Sequence, residues 1–207
     1  MIRPPSWDGA AFSEGDDGDI RHDPVARGRV SAELGISADW AFARQVHGGD
    51  VVRVDGPGDA GEADALWTTD EGLPLSVFTA DCFGVVLHAA EAVGVAHCGW
   101  RGTVAGVARN LRDEMSRAGQ DPVWGAIGPG IGPCCFEVGP EVSRSFDGYR
   151  SGTTWGTESV DLVAALRDQL GGLEVWGVDE CTRHDEGWFS HRRDGDLRRL
   201  ATIGWVP

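Results

Sequence analysis

The chain has 207 residues, 41% hydrophobic and 25% charged, with a formal net charge of −15. That length can bury a core of its own, and so acidic a balance excludes a general polyanion-binding surface, so no nucleic-acid partner is expected. All 18 basic residues are arginine, and the absence of lysine excludes Schiff-base, pyridoxal-phosphate and Walker-loop chemistry.

Met1–Asp23 is rich in Gly, Asp and Pro; Phe12 begins a short strand, and GDDGDIRHD reads as a solvated loop that carries His22. The opening MIRPPSWDGA has no apolar leader segment, and no later run approaches the ~20 apolar residues of a membrane span. Pro24–Leu34 is predicted as a helix, with Pro at its first position, Gly35 as its stop and Val25, Val30 and Leu34 toward the core. Trp40–Val46 and Val51–Val54 read as strands joined by a hairpin-like turn with His47 at its mouth, followed by a Gly/Pro loop over Asp55–Gly61.

Leu75–Thr79, Val85–Leu87 and Val93–Ala96 are three short apolar strands that deliver Cys82, His97 and Arg101 to one end of a sheet. Val104, Val107, Ala108, Leu111 and Met115 then form a helical stripe, with Thr103 as its N-cap and an anion site at its first turn beside Arg101. Val123–Ile127 is a buried strand running into GPGIGPCCF. The alternating glycines suggest a dinucleotide loop, but Pro129 and Pro133 lack the N–H donors that a phosphate cradle uses. Cys134 and Cys135 lack zinc-finger spacing and read as buried free thiols; five cysteines give no even disulfide framework, so a reduced, cytoplasmic protein is expected. Helices over Pro140–Phe146 and Val160–Leu170 and strands over Leu173–Val178 and Leu200–Val206 complete the chain. No repeat or linker interrupts it, so residues 1–207 read as a single domain with a short N-terminal part over 1–40.

A cysteine and a histidine at two strand ends, beside an Arg-Gly turn, mark a site. Taken singly, each residue has a plainer role: His47 as a structural hydrogen-bonder, Arg101 as a surface ion pair, Asp81 as a turn residue.

Six ordered motifs narrow the choice: QVHGGDVV, EADAL, TADC, AHCGWRG, AIGPGIGPCCFEVG and FSHRRDG. Over about residues 41–207 the chain resembles the YfiH/laccase-domain family, whose members were long labelled multicopper polyphenol oxidases and are now described as purine nucleoside phosphorylases. The resemblance implies a mixed α/β (α+β) fold with an αββα sandwich of mixed β-sheets. It also implies zinc held by His47, Cys82 and His97, a set whose imidazole and thiolate donors suit that ion and leave one position open. Copper accepts the same donors, but six histidines with no His-x-His pair cannot build a trinuclear copper cluster.

The implied substrates are a purine nucleoside (adenosine, inosine or methylthioadenosine) and phosphate, with adenosine deamination as a further activity. Arg101 and Arg193 are expected to hold phosphate, Gln45 to contact substrate, and Asp81, with Arg101, to serve catalysis. The chain departs from the family pattern at Cys98, at Gly28-Arg29 and at Leu197-Arg198-Arg199, all but the first in substrate-facing segments. Two other readings fit the same residues. Cys82 activated by His97 would make a cysteine hydrolase or amidase, for instance on a peptidoglycan precursor. A protein that binds metal or nucleoside without turnover is the second.

Overall fold

In the computed structural model, which describes residues 1–207, short strands rich in Val, Leu and Ala form two mixed sheets packed face to face. The first runs β1 (Ala10–Phe12), β13 (Leu200–Gly204), β6 (Leu75–Thr79), β2 (Ala41–Arg44) and β4 (Gly58–Glu62). The second runs β12 (Glu174–Gly177), β9 (Trp124–Ile127), β7 (Phe83–His88), β8 (Val93–Cys98), β5 (Ala65–Thr68) and β3 (Val51–Arg53). A separate hairpin pairs β10 (Arg150–Gly152) with β11 (Glu158–Val160).

Strands β6, β7, β8 and β13 are buried along their whole length, because one face meets the opposite sheet and the other is covered by helices. Leu66, Leu75, Val77, Val86, Val93 and Val95 fill the space between the sheets. The sheets approach closely at Gly84, where a Cβ would fall 2.0 Å from Thr202 Oγ1.

Helix α1 (Pro24–Leu34) begins at Asp23, whose side chain accepts the Val25 N–H, and packs Ala26 and Val30 with Phe78, Ala201 and Ile203 on the first sheet. The outer face of the second sheet takes α3 (Val107–Arg117) through Val107, Ala108, Leu111 and Met115. Beside it lies α5 (Leu162–Gln169), buried through Leu162, Ala165 and Leu166. Full burial of a side chain such as Leu111 contributes about 1.5–3 kcal/mol. Shorter helices are α2 (Trp100–Val104), α4 (Pro140–Ser143) and α6 (His191–Asp194). The layers are therefore helix, sheet, sheet, helix, the expected sandwich. No helix is long and apolar enough to cross a membrane.

Several sequence expectations change. The two strands flanking His47 do not form a hairpin: β2 lies in the first sheet and β3 in the second, so Gln45–Asp50 crosses between sheets. Likewise β6 belongs to one sheet and β7 and β8 to the other, so the segment carrying Asp81 and Cys82 is a second crossover. Glycine-bounded apolar runs look the same whether the chain turns back or crosses over. Gly58–Glu62, read as loop, is the edge strand β4. Val25 is 77% exposed. The helical stripe is also interrupted: Gly106 sits at φ 77°, in the left-handed region, which ends α2 and starts α3. Val104 is then 51% exposed, and Thr103 lies inside α2, its hydroxyl donating to Gly99 O at 2.9 Å.

Candidate metal centre

The two crossovers meet at one edge of the sandwich, and their backbones are unusual. His47 has φ 62° and Asp81 has φ 81°, left-handed values that cost a non-glycine residue about 1–3 kcal/mol unless surrounding bonds enforce them. At His47 the enforcing group is Asp64. Its fully buried carboxylate accepts the backbone N–H groups of Val46, His47 and Gly48 at 3.1, 3.0 and 2.7 Å. The same carboxylate accepts His97 Nδ1 at 2.7 Å. One acid thus fixes the loop that presents His47 and the ring of His97.

His47, Cys82 and His97 bring their ligand atoms within 4.8 Å of one another. The two imidazoles meet edge to face, centroids 4.8 Å apart. Gly99 gives them room, since a Cβ there would lie 2.9 Å from Cys82 Sγ and 3.1 Å from His47 Cδ2. The three form a charged cluster. Burial alone would raise the Cys82 thiol, but hydrogen bonds and charge from His47 and His97 bring it down to about 6. Burial would lower His97, but Asp64 and Cys82 raise it to about 9. Burial would also raise Asp64; the His97 ring and the backbone N–H groups hold it below the usual carboxylate range. The resting charges are therefore thiolate, imidazolium and carboxylate, and a cation bound here would displace the His97 Nε2 proton to gain that nitrogen as a donor.

A cavity of about 360 Å³ opens over this group. Phe78, Trp100, Ile131 and Phe136 supply apolar wall, and Arg21, Arg192 and Arg199 supply positive charge. Arg21 lies over the Phe78 ring at 5.8 Å and Arg192 over Phe136 at 5.4 Å.

The other residues expected at the site divide. Asp81 lines the cavity with its carboxylate fully engaged: Oδ1 accepts the Thr182 and Ser190 hydroxyls at 2.7 and 2.8 Å, and Oδ2 accepts the Arg192 N–H at 2.6 Å. Gln45 also lines it, yet its amide pairs both ways with the Phe78 backbone at 2.8 Å. Arg101 is outside the lining, stacked over the Trp100 ring at 4.3 Å. Arg193 is outside too; its guanidinium donates to the carbonyls of Thr182, Asp185 and Trp188 at 2.9, 2.8 and 2.7 Å. Its work is to brace a loop. His88 is buried against Trp124 and bonded to Gly9 O at 2.9 Å, and His191 stands on the cavity wall.

The sequence reading assigns no site role to Asp64, Arg21 or Arg192, and names Arg199 only within a substrate-facing segment. An acid inside the apolar run Ala63–Trp67 was the available signal for Asp64. Arg21 sat in a stretch read as solvent loop, and Arg192 is the neighbour of the arginine chosen.

The family described as multi-copper polyphenol oxidoreductase laccase matches residues 11–207, extending the likeness toward the N-terminus by some thirty residues beyond residue 41. A purine nucleoside phosphorylase, ORF3, of Streptomyces griseus is 37% identical over 91% of this chain and 85% of its own length. The purine nucleoside phosphorylase YfiH of Escherichia coli is 33% identical over 87% of this chain and 79% of its own. Among solved structures, YlmD from Geobacillus stearothermophilus superposes with a TM-score of 0.86 at 29% identity, covering 99% of this chain and 94% of that one. The Bacillus licheniformis protein YfiH gives 0.85 at 26% identity, covering 95% and 92%.

Proposed function

The chain belongs to the multi-copper polyphenol oxidoreductase laccase family, and on that premise we propose that it is a zinc-dependent purine nucleoside phosphorylase. The observation that carries the reading is one cavity with three complementary surfaces: a His–Cys–His group, an aromatic wall and an arginine cluster. Two imidazoles and a thiolate fit zinc and leave a position for substrate, and Asp64 supplies the carboxylate that such a histidine needs behind it. The oxidase reading fits less well. Of the six histidines two reach this group, and the buried His88 is stacked on Trp124 instead.

In this reading the purine lies against Phe78, Trp100 and Phe136, and phosphate sits among Arg21, Arg192 and Arg199. Phosphorolysis joins a phosphate oxygen to C1′ of the ribose while the C1′–N9 bond breaks; the electron pair leaves with the purine, which takes up a proton. The arginines orient the nucleophile and offset its charge, and His191, on the cavity wall, gives the base its proton in this proposal. When bound, zinc supplies Lewis-acid polarisation of a substrate oxygen. Arg101 and Arg193 are replaced in the phosphate role by the three arginines that face the cavity. Asp81 and Gln45 act as positioning residues. Adenosine deamination is proposed as a side activity, read by ammonia release. Five unpaired cysteines fit a reducing compartment such as the cytoplasm.

One observation favours a second reading. Cys82, His97 and Asp64 are linked in the order of a cysteine hydrolase triad. A second histidine on the same sulfur, His47, favours the metal, because a nucleophilic thiol needs one base only.

The test is release of free base from adenosine, inosine and methylthioadenosine with and without phosphate, on protein of measured zinc content. Phosphate-dependent release that stops on zinc removal is expected. Activity that survives chelation and ends on alkylation of Cys82 would instead establish the hydrolase.

A further inference from the structure

A second group of metal-ligating side chains lies behind the wall of that cavity. Cys134, Cys135 and Cys181 hold their sulfurs within 4.8 Å of one another, with Cys134 and Cys135 3.6 Å apart. They come from two loops, after β9 and after β12, joined by the Thr182 N–H to Gly130 O at 3.0 Å. None is used in a disulfide. The Gly132 N–H points at Cys181 Sγ at 3.2 Å. Cys134 and Cys181 also line a separate cavity of about 310 Å³, where Asp161, Asp179 and Glu180 give an entering cation a negative approach.

We propose that Cys134, Cys135 and Cys181 form a second, all-thiolate site for a thiophilic d10 metal ion, zinc(II) or copper(I). A metal–sulfur bond of ~2.3 Å sets sulfurs ~3.8 Å apart in a tetrahedron and ~4.0 Å apart in a trigonal plane. Cys134 and Cys135, 3.6 Å apart, are near that spacing, and the 4.8 Å limit on the other pairs closes with a shift of about 1 Å. Thiolates alone select soft ions over magnesium or calcium, and each thiol that binds releases its proton to solvent. Thr182, next to Cys181, donates to Asp81, and Ile131 of the other loop lines the first cavity. An ion here would fasten two loops that wall the first site. The proposal stands whether or not the nucleoside reading does.

Cadmium(II) added to reduced, metal-free full-length protein tests it, through thiolate-to-metal absorption and metal analysis. Two ions per chain are expected, falling to one in the double variant Cys134→Ser/Cys181→Ser. In His47→Ala most of the absorption should remain. Should the double variant fail to fold, labelling of wild-type protein with N-ethylmaleimide decides: zinc(II) or copper(I) should slow modification of Cys134 and Cys181. Competition with chelators then identifies the preferred ion. Unchanged stoichiometry in the double variant, or labelling indifferent to both ions, would overturn the site.

Discussion

Asp64 Oδ1 accepts His97 Nδ1 at 2.7 Å, leaving Nε2 as the ring nitrogen available on the side of Cys82. The same carboxylate gathers three backbone N–H groups around His47, so one buried acid fixes both the crossover that carries His47 and the ring of His97 on β8. Asp64→Asn keeps the size but gives up the charge and one acceptor. Zinc affinity should fall about 10–100-fold, measured by competition with a chromogenic chelator. Unchanged affinity would mean that the histidines are held by the sheets alone.

Removing a proposed ligand should act more sharply. Cys82→Ser and His47→Ala are expected to purify without stoichiometric zinc and to lose kcat/KM for phosphorolysis by about 100-fold or more, about 2.7 kcal/mol of transition-state stabilisation. Zinc content and kinetics on the same preparations decide this. Full zinc retention in both variants removes the ligand assignment.

The charge state of the metal-free cluster makes a pH prediction. Cys82 is lowered to about 6, so its contribution to stability is complete above the ordinary thiol pKa of about 8.5 and is lost as pH falls through about 6. His97 is raised to about 9, so its contribution is complete below about 6.5 and is lost as pH rises through about 9. The pair therefore supports the metal-free fold between about 6 and about 9, and Tm measured across pH should fall on both sides of that window. In His97→Gln the alkaline fall should disappear. Iodoacetamide should modify Cys82 of stripped protein with a midpoint near 6.

The arginines divide into two kinds. Arg192→Ala and Arg199→Ala should raise the KM for phosphate about 10-fold, since a hydrogen bond to a charged group contributes about 1.5–3 kcal/mol. Arg101→Ala, outside the cavity, should leave that KM unchanged. Arg193→Ala should lower stability by about 2 kcal/mol, roughly 4–8 °C in Tm, because three carbonyls lose their donor. A phosphate KM that rises in Arg101→Ala alone would restore the role read from the motif.

These divisions show what the sequence carried. Strand and helix positions were legible where burial imposes a pattern, as in β6 to β8 and in the stripe from Val107 to Met115. Sheet membership was not, because crossovers and hairpins share the same glycine punctuation, which is why the crossover carrying His47 reads as a hairpin. Within the site, residue type pointed to His47, Cys82 and His97, whose chemistry is scarce in this chain. Arginine is common, so which of 18 face the cavity depends on loop paths that local patterns do not encode. Asp64 was hidden for the opposite reason: a single acid just before an apolar strand reads as an interruption until its four donors are seen.

Asp81 allows its two roles to be separated. Every hydrogen bond of its side chain runs to the 182–192 segment, through Thr182, Ser190 and the Arg192 N–H, and the backbone there has a left-handed φ of 81°. If it positions Arg192 and His191, Asp81→Asn puts an amide donor against groups that already donate. Tm should then fall, the KM for phosphate should rise and zinc content should hold. Ser190→Ala, which removes one of the same bonds and the α6 cap, should reproduce the pattern more weakly. If Asp81 moved a proton, the Asn variant would lose kcat with KM and Tm unchanged, and Ser190→Ala would be almost silent. Steady-state kinetics and thermal melts on the two variants separate the cases, since a carboxylate occupied by three donors cannot also be the free base without releasing the loop it holds.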